Sequence, residues 1–421
     1  MSASSLHGSP WRALTHRNFS LFLTGHGLSL CGTWMQSMAQ AWLLYRLTGS
    51  PFLLGLAEFL SRAPILAFGL VGGLLADRWP RHRIMFVVQG LLLVQAGLLA
   101  ALTLSGLVTV EWILALALFM GLIGSVEVPV RQAFLTDLVP RPDIASAIGL
   151  NSSVFNTARI VGPSLAGLVA SSMGEGSCFL INSLSFLIVL GCLAAIRVQP
   201  APQTHQADVW AQLREGLHYA KGTPHVRAAL ALVLVISVAG MPYATLLPVF
   251  ARDVLHRGPD GLGLLMAATG IGALGAALRL ARRRTVHGLG AAIAAATGLF
   301  GLGLLALAAS TDLWLSIVAL LLIGFGMVSS LAGVNTLLQS LAPEALRGRV
   351  VSLYTIGSLG FTVFGSLLAG LGGSYLGAPL TVAAGGLTIL IGAGLFWRAL
   401  PAIRHHVREQ GLLPPEPVVP Q

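Results

Sequence analysis

The sequence predicts an all-α membrane protein: twelve transmembrane helices in two six-helix bundles related by a parallel repeat, with both termini in the cytoplasm. Three observations predict it. Of the 421 residues, 55% are hydrophobic and 10% charged, with a mean hydropathy of +0.82, outside the range of soluble domains. The apolar residues fall into about twelve stretches, each near the roughly 20 residues that a helix needs to cross about 30 Å of hydrocarbon. Finally, text recurs at one offset: Gly72 and Gly275, Pro140 and Pro343, and Leu165-Ala166-Gly167 and Leu368-Ala369-Gly370 each stand 203 residues apart. One offset kept at three places indicates a duplicated unit of unchanged orientation, with a pseudo-twofold axis along the membrane normal.

The first half, residues 1–198, holds spans at roughly 19–47, 50–76, 84–105, 110–137, 144–173 and 176–197. The first span carries Gln36 and Gln40 one turn apart beside Trp34 and Met35, a stripe fit to meet a substrate. In the second, Glu58 and Arg62 stand four apart and so share a helix face, and Glu127 and Arg131 repeat the relation in the fourth. The fifth contains Arg159, together with Gly162-Pro163, which bends the helix as Pro129 bends the fourth. His26 and Asn151 are assigned to packing. Ionisable groups inside a span are costly, which makes Glu58, Arg62, Glu127, Arg131 and Arg159 functional candidates. Counted inward at about 1.5 Å per residue, Arg62 and Arg159 share a depth, with Glu127 and Glu58 close on either side. The expectation is a neutral cluster of two acids and two bases facing a central cavity. An acid whose arginine can move away suits proton carriage; Glu127 is the first candidate and Glu58 the second.

A polar linker, residues 199–223, follows. Its later part can form an amphipathic helix, with Val209, Leu213, Leu217 and Tyr219 or Ala220 toward one side, expected to lie on the cytoplasmic membrane face. The second half, residues 224–421, holds spans at roughly 225–252, 259–281, 286–309, 312–341, 349–373 and 376–398 and no midspan charge. Tyr243, Asn335, Gln339 and Tyr354 are its polar candidates for a substrate cavity. Arginine and lysine fix the orientation: Arg12, Arg17, Arg78, Arg81, Arg83, Arg141, Arg197, Arg282, Arg347 and Arg398 gather on one side. The opposite connectors hold Glu111, Glu175, Asp253, Asp260 and Asp312 with fewer bases. The basic side is the cytoplasmic one.

A net charge of +10 invites a nucleic-acid reading, but the bases sit in short connectors and no basic and aromatic interleaving occurs. Cys31, Cys178 and Cys192 lack ligand or disulfide spacing, so no metal and no cofactor are expected. The first residues lack the pattern of a removable signal peptide. Neither a Walker-type phosphate loop nor an HExxH or GxSxG constellation occurs, which argues against an enzyme.

The segment GGLLADRWPRHR from Gly72 to Arg83 resembles the loop signature of the major facilitator superfamily, G-x-x-x-D-R-x-G-R-R/K. Gly73, Asp77, Arg78 and Arg81 match it, while Pro80 replaces the usual glycine. GTWMQSMAQAWLLYRLTGSP, VPVRQAFLTDLVP and ARIVGPSLAG are similar to one branch, that of bacterial enterobactin exporters and macrolide-efflux proteins. The resemblance implies efflux, coupled to protons, across a bacterial cytoplasmic membrane. Its partners are then a hydrophobic or amphipathic small molecule, protons and the lipid bilayer, and the chain acts as a monomer. Siderophore secretion is the alternative within transport, and a non-transporting receptor or scaffold the alternative outside it.

The loop signature also has a physical reading. Gly72 and Gly73 permit close approach of a neighbouring helix. Asp77 ends its helix against an unfavourable dipole, and the N-terminus of the eleventh span near Arg347 and Gly348 offers free N–H groups. With Arg81 reaching Asp137, residues Gly73, Asp77, Arg78, Arg81 and Asp137 form an expected latch, closed when the protein opens outward. Leu280 replaces the acid in the second half, so the latch is one-sided.

Overall fold

A computed structural model describes residues 11–197, 209–283 and 288–409. The described residues are helical almost throughout. A short 3-10 turn, Arg12–Thr15, leads into α1 (Arg17–Thr48), α2 (Pro51–Arg78), α3 (Arg81–Leu104), α4 (Val110–Asp137), α5 (Ile144–Met173) and α6 (Glu175–Ala195). The linker helix α7 (Val209–Gly222) follows. After it come α8 (Pro224–Val254), α9 (Pro259–Ala281), α10 (Leu289–Ala309), α11 (Leu313–Leu341), α12 (Leu346–Tyr375) and α13 (Ala378–Glu409). Ten of these are long and apolar enough to cross a membrane. The other long ones, α1 and α5, run 32 and 30 residues, but His26, Gln36, Gln40, Asn151, Asn156 and Arg159 dilute their hydropathy. Hydrocarbon leaves backbone groups no partner outside the helix, which is why apolar text of this length folds this way.

Local chemistry sets the ends. Gly49 takes the left-handed conformation (φ 60°) that terminates α1. Ser50 and Asp312 accept from the backbone N–H groups of Leu53 and Leu315 and cap α2 and α11. Ahead of α1, the buried carboxylate of Asp143 takes Arg12 at 2.9 Å and His16 at 2.7 Å, tying the chain's start to the α4–α5 connection.

Within each set of six, glycines let helices touch backbone to backbone. A Cβ at Gly72 would lie 2.1 Å from Ser125 O, and one at Gly121 would lie 2.7 Å from Leu60 O, fixing α2 against α4. The same contact joins α9 to α11 through Gly272 and Gly324, whose Cβ atoms would lie 2.1 Å from Leu321 O and 2.0 Å from Thr269 O. Gly121 and Gly324 again stand 203 apart, but the partner of Gly72 in this packing is Gly272 rather than its textual echo Gly275, which faces open space save for Phe325. Gly73, expected to share the close approach, has nothing within 4 Å of a Cβ.

The two sets differ inside. In the first, Asn182 Nδ2 donates to Gln36 Oε1 at 2.8 Å, Gln36 Nε2 to Gln95 Oε1 at 3.0 Å, and Gln95 Nε2 to Leu116 O at 3.2 Å. That chain of amides ties α1, α3, α4 and α6. In the second, α8 and α12 are irregular: π-helical turns occupy Ile236–Gly240 and Phe250–Val254 of α8 and Ile356–Gly360 of α12. Pro242 and Pro248 withhold two backbone donors from α8, and the helix reorganises around them. Ser237 Oγ donates to Ser358 O at 3.2 Å, so two π turns face one another.

The linker helix forms as expected but rests on the chain itself. Glu215 pairs with Arg349, and Gly216 and the buried Ala220 bring α7 against the start of α12. Leu217, 44% exposed, points away. The side chains of Val209 and Leu213 lie outside the described residues.

Candidate transport cavity

The first six helices meet the last six along two crossings, α2 with α12 and α5 with α9. Each crossing is a glycine on a glycine. A Cβ at Gly55 would lie 2.5 Å from Ser366 O and 3.0 Å from Gly370 Cα, and one at Gly263 would lie 2.6 Å from Pro163 O and 3.0 Å from Gly167 Cα. Gly167 and Gly370 are the glycines of the repeated Leu-Ala-Gly text, so its role is close approach between the sets.

Polar contacts reinforce that end. Tyr45 donates its hydroxyl proton to Asp253, Arg252 Nη1 donates to Tyr45 O at 3.1 Å, and Phe52 N donates to Ser374 Oγ at 3.0 Å. Beside them Arg46 grips Glu175 through Nε at 2.8 Å and Nη2 at 3.2 Å. Toward the basic end Gly69, Gly73 and Gly149 have nothing within 4 Å of a Cβ.

Behind the closed end lies a cavity of about 250 Å³. Trp34, Ser37 and Met38 of α1 line it with Glu58 and Arg62 of α2 and Arg159 of α5. The opposite wall is Met241, Tyr243 and Thr245 of α8, Met266 and Thr269 of α9, Met327 of α11, and Thr362 and Ser366 of α12. Glu58 pairs with Arg62 on its own helix. Arg159 shares the cavity wall with the buried Tyr243, and among the described residues no carboxylate forms an ion pair with it.

Several expectations are redistributed. Glu58, Arg62 and Arg159 come together, but Glu127 and Arg131 lie off the cavity wall, joined at 2.6 Å with side chains 14% and 16% exposed. The wall therefore carries one acid and two bases rather than a neutral four. Gln36 is 1% exposed within the amide chain, and half-buried Gln40 is not in the wall. Counting residues gives depth along a helix but not the direction a side chain takes around it. Tyr243 lines the cavity. Gln339 Nε2 instead donates to Asn335 Oδ1 at 3.0 Å, and Tyr354 donates to Leu331 O at 3.0 Å, joining α12 to α11. His26 packs as expected, stacked 5.3 Å from Phe22. Sequence reasoning missed the methionines and the crossing glycines; the copied Leu-Ala-Gly text was the available signal.

At the basic end, Arg81 Nη1 donates to both oxygens of Asp137, at 2.9 and 3.0 Å, and Nη2 lies 3.8 Å from Asp77. Arg81 thus bridges the acids that end α2 and α4. Among the described residues Asp77 forms no ion pair with α12, whose Gly348 faces open space.

Two sets of helices clasping a largely apolar cavity that holds a few ionisable side chains have the form of a transporter of the major facilitator class. The chain belongs to the transmembrane secretion effector family of that class, whose description matches residues 8–419. It is 25% identical to the staphyloferrin A transporter of Staphylococcus aureus, over 88% of this chain and 93% of that one. It is 25% identical to the multidrug efflux pump Tap of Mycolicibacterium fortuitum, over 83% and 89%. With the enterobactin exporter EntS of Escherichia coli the identity is 26%, over 93% and 94%. Among solved structures, a bacterial homologue of the human lysosomal transporter Spinster, inward-facing and occupied, superposes with a TM-score of 0.71 at 13% identity, covering 93% of this chain and 97% of that one.

Proposed function

We propose that this protein exports a hydrophobic or amphipathic small molecule from a bacterial cell in exchange for protons, by alternating access. Twelve spans form two rocking halves, residues 1–198 and 224–421, joined by the linker 199–223, with both termini in the cytoplasm and the chain monomeric. The observation that carries the reading is the cavity itself, closed at one end by paired glycines and lined by ionisable side chains at the junction of the two sets. Because the opposite end gathers the arginines, the closed end faces outward and the described state opens to the cytoplasm. Such charges in a membrane interior serve transport and have no use in a scaffold.

Proton exchange fits Glu58 better than Glu127. Its carboxylate lines the cavity at 35% exposure and can trade Arg62 for a proton, whereas Glu127 pairs with Arg131 outside the cavity lining. The bridge of Asp77, Arg81 and Asp137 with Gly73 and Arg78 forms one half of the latch, which engages α12 when the outer crossings part. Siderophore secretion is a second reading, favoured by the similarity to the staphyloferrin A and enterobactin exporters.

Efflux from loaded proteoliposomes under an imposed proton gradient, screened against siderophores, macrolides and lipophilic cations, tests both readings. Movement of at least one class that collapses with the gradient and in Glu58→Gln is expected. Transport indifferent to the gradient would remove proton coupling, and failure with every class would remove export of such molecules.

A further inference from the structure

Glu58 and Arg62 cancel within the cavity wall, which leaves Arg159 as an uncompensated cation there, with no carboxylate partner among the described residues. Its place is fixed. The neighbouring Ile160 sits under the missing side chain of Gly270, whose Cβ would lie 2.6 Å from Ile160 Cγ1 and 3.5 Å from Arg159 O, so the backbone of α5 is held against α9 at this point. Tyr243 and Thr269 of the opposite set line the same cavity as the guanidinium. A planar guanidinium that stays charged and presents paired donors matches a carboxylate two atoms to two, and a phenol in the same cavity wall adds a further donor. The rest of the wall is of a different kind: Met38, Met241, Met266 and Met327 surround the site together with Trp34. Thioethers are flexible and polarisable and adapt to apolar bodies of varied outline.

We infer that the transported molecule is an organic anion, a carboxylate or an equivalent planar acid on an apolar or aromatic body. Arg159 and Tyr243 hold its head, and the methionines hold its body. The inference rests on the reading of the cavity as a transport site and narrows it: an amphipathic cation meets a wall with an excess positive charge, and an uncharged amphipath leaves Arg159 unpaired in a low-dielectric site. Because Arg159 and Tyr243 belong to different sets of helices, the anion bridges the surfaces that must part for transport.

Three probes of one shape separate charge from bulk: 1-naphthylacetate, 1-naphthylacetamide and 1-naphthylmethylammonium. Their equilibrium binding to the purified full-length protein in nanodiscs, read by dialysis with radiolabelled probes, needs no proton gradient. The carboxylate is expected to bind at least tenfold tighter than the amide and tighter still than the ammonium. Arg159→Gln is expected to erase the difference between carboxylate and amide while the thermal unfolding midpoint stays near that of the parent. If that variant does not fold, Arg159→Lys serves, with the preference for the anion kept and its size reduced. Equal binding of carboxylate and amide, no measurable binding of the carboxylate, or a preference that survives Arg159→Gln would each overturn the assignment. Anion binding that follows this pattern in a protein that moves nothing under a proton gradient would sink the export reading alone.

Discussion

A single methyl group at Gly55 tests the closed end. The added Cβ would meet Ser366 O at 2.5 Å and Gly370 Cα at 3.0 Å, both backbone atoms that no rotamer change can move. Overpacking of this kind costs about 1–3 kcal/mol. The cost falls only on the state in which α2 and α12 touch, so Gly55→Ala shifts the population toward the outward-open state by roughly 5- to 150-fold at about 1.4 kcal/mol per decade. Ser37 lines the cavity and is exposed, which makes Ser37→Cys a reporter once Cys31, Cys178 and Cys192 are replaced. Alkylation of that cysteine by an impermeant maleimide added outside intact cells should quicken by a factor within that range in Gly55→Ala. Gly69→Ala on the same helix, where nothing lies within 4 Å, should leave the rate unchanged. An unchanged rate in a folded Gly55→Ala protein, or an equal rise in Gly69→Ala, would refute the account of closure.

Other substitutions separate the remaining roles. Gln36→Leu should lower stability by about 2 kcal/mol or more, because Gln95 and Asn182 each lose a buried partner, visible as a lower unfolding midpoint with transport retained in the folded fraction. Asp77→Asn should reduce transport at least tenfold without reducing membrane insertion, measured by efflux against the amount of protein in the membrane; full transport would exclude the latch. Glu58→Gln should abolish gradient-driven efflux, whereas Glu127→Gln should leave it in place and instead lower thermal stability by leaving the cation of Arg131 without its acid. Substrate-driven proton release that persists in Glu58→Gln and vanishes in Glu127→Gln would reverse the two assignments.

The helical architecture was legible because lipid makes span length and hydropathy almost synonymous with a helix, and the copied text announced two similar units. That legibility ends at α8. Pro242 and Pro248 were in plain view, but the meeting of one π turn with its counterpart in α12 through Ser237 and Ser358 joins two distant segments, which neither encodes alone. Charges in the spans were equally visible, and Glu58, Arg62 and Arg159 do share the cavity wall. Gln36 shows the opposite case, since an amide on an apolar helix looks the same whether it turns to a ligand or to Asn182. Only the packing of α1 against α6 decides.

Gly55 comes from one half and Gly370 from the other, and so do Gly167 and Gly263. Neither half carries a complete closure. A chimera that joins residues from one half of this chain to the complementary half of a relative inherits a working seal only where both incoming partners lack a side chain. Those four positions are therefore the first to match when halves are exchanged, ahead of any residue in the cavity.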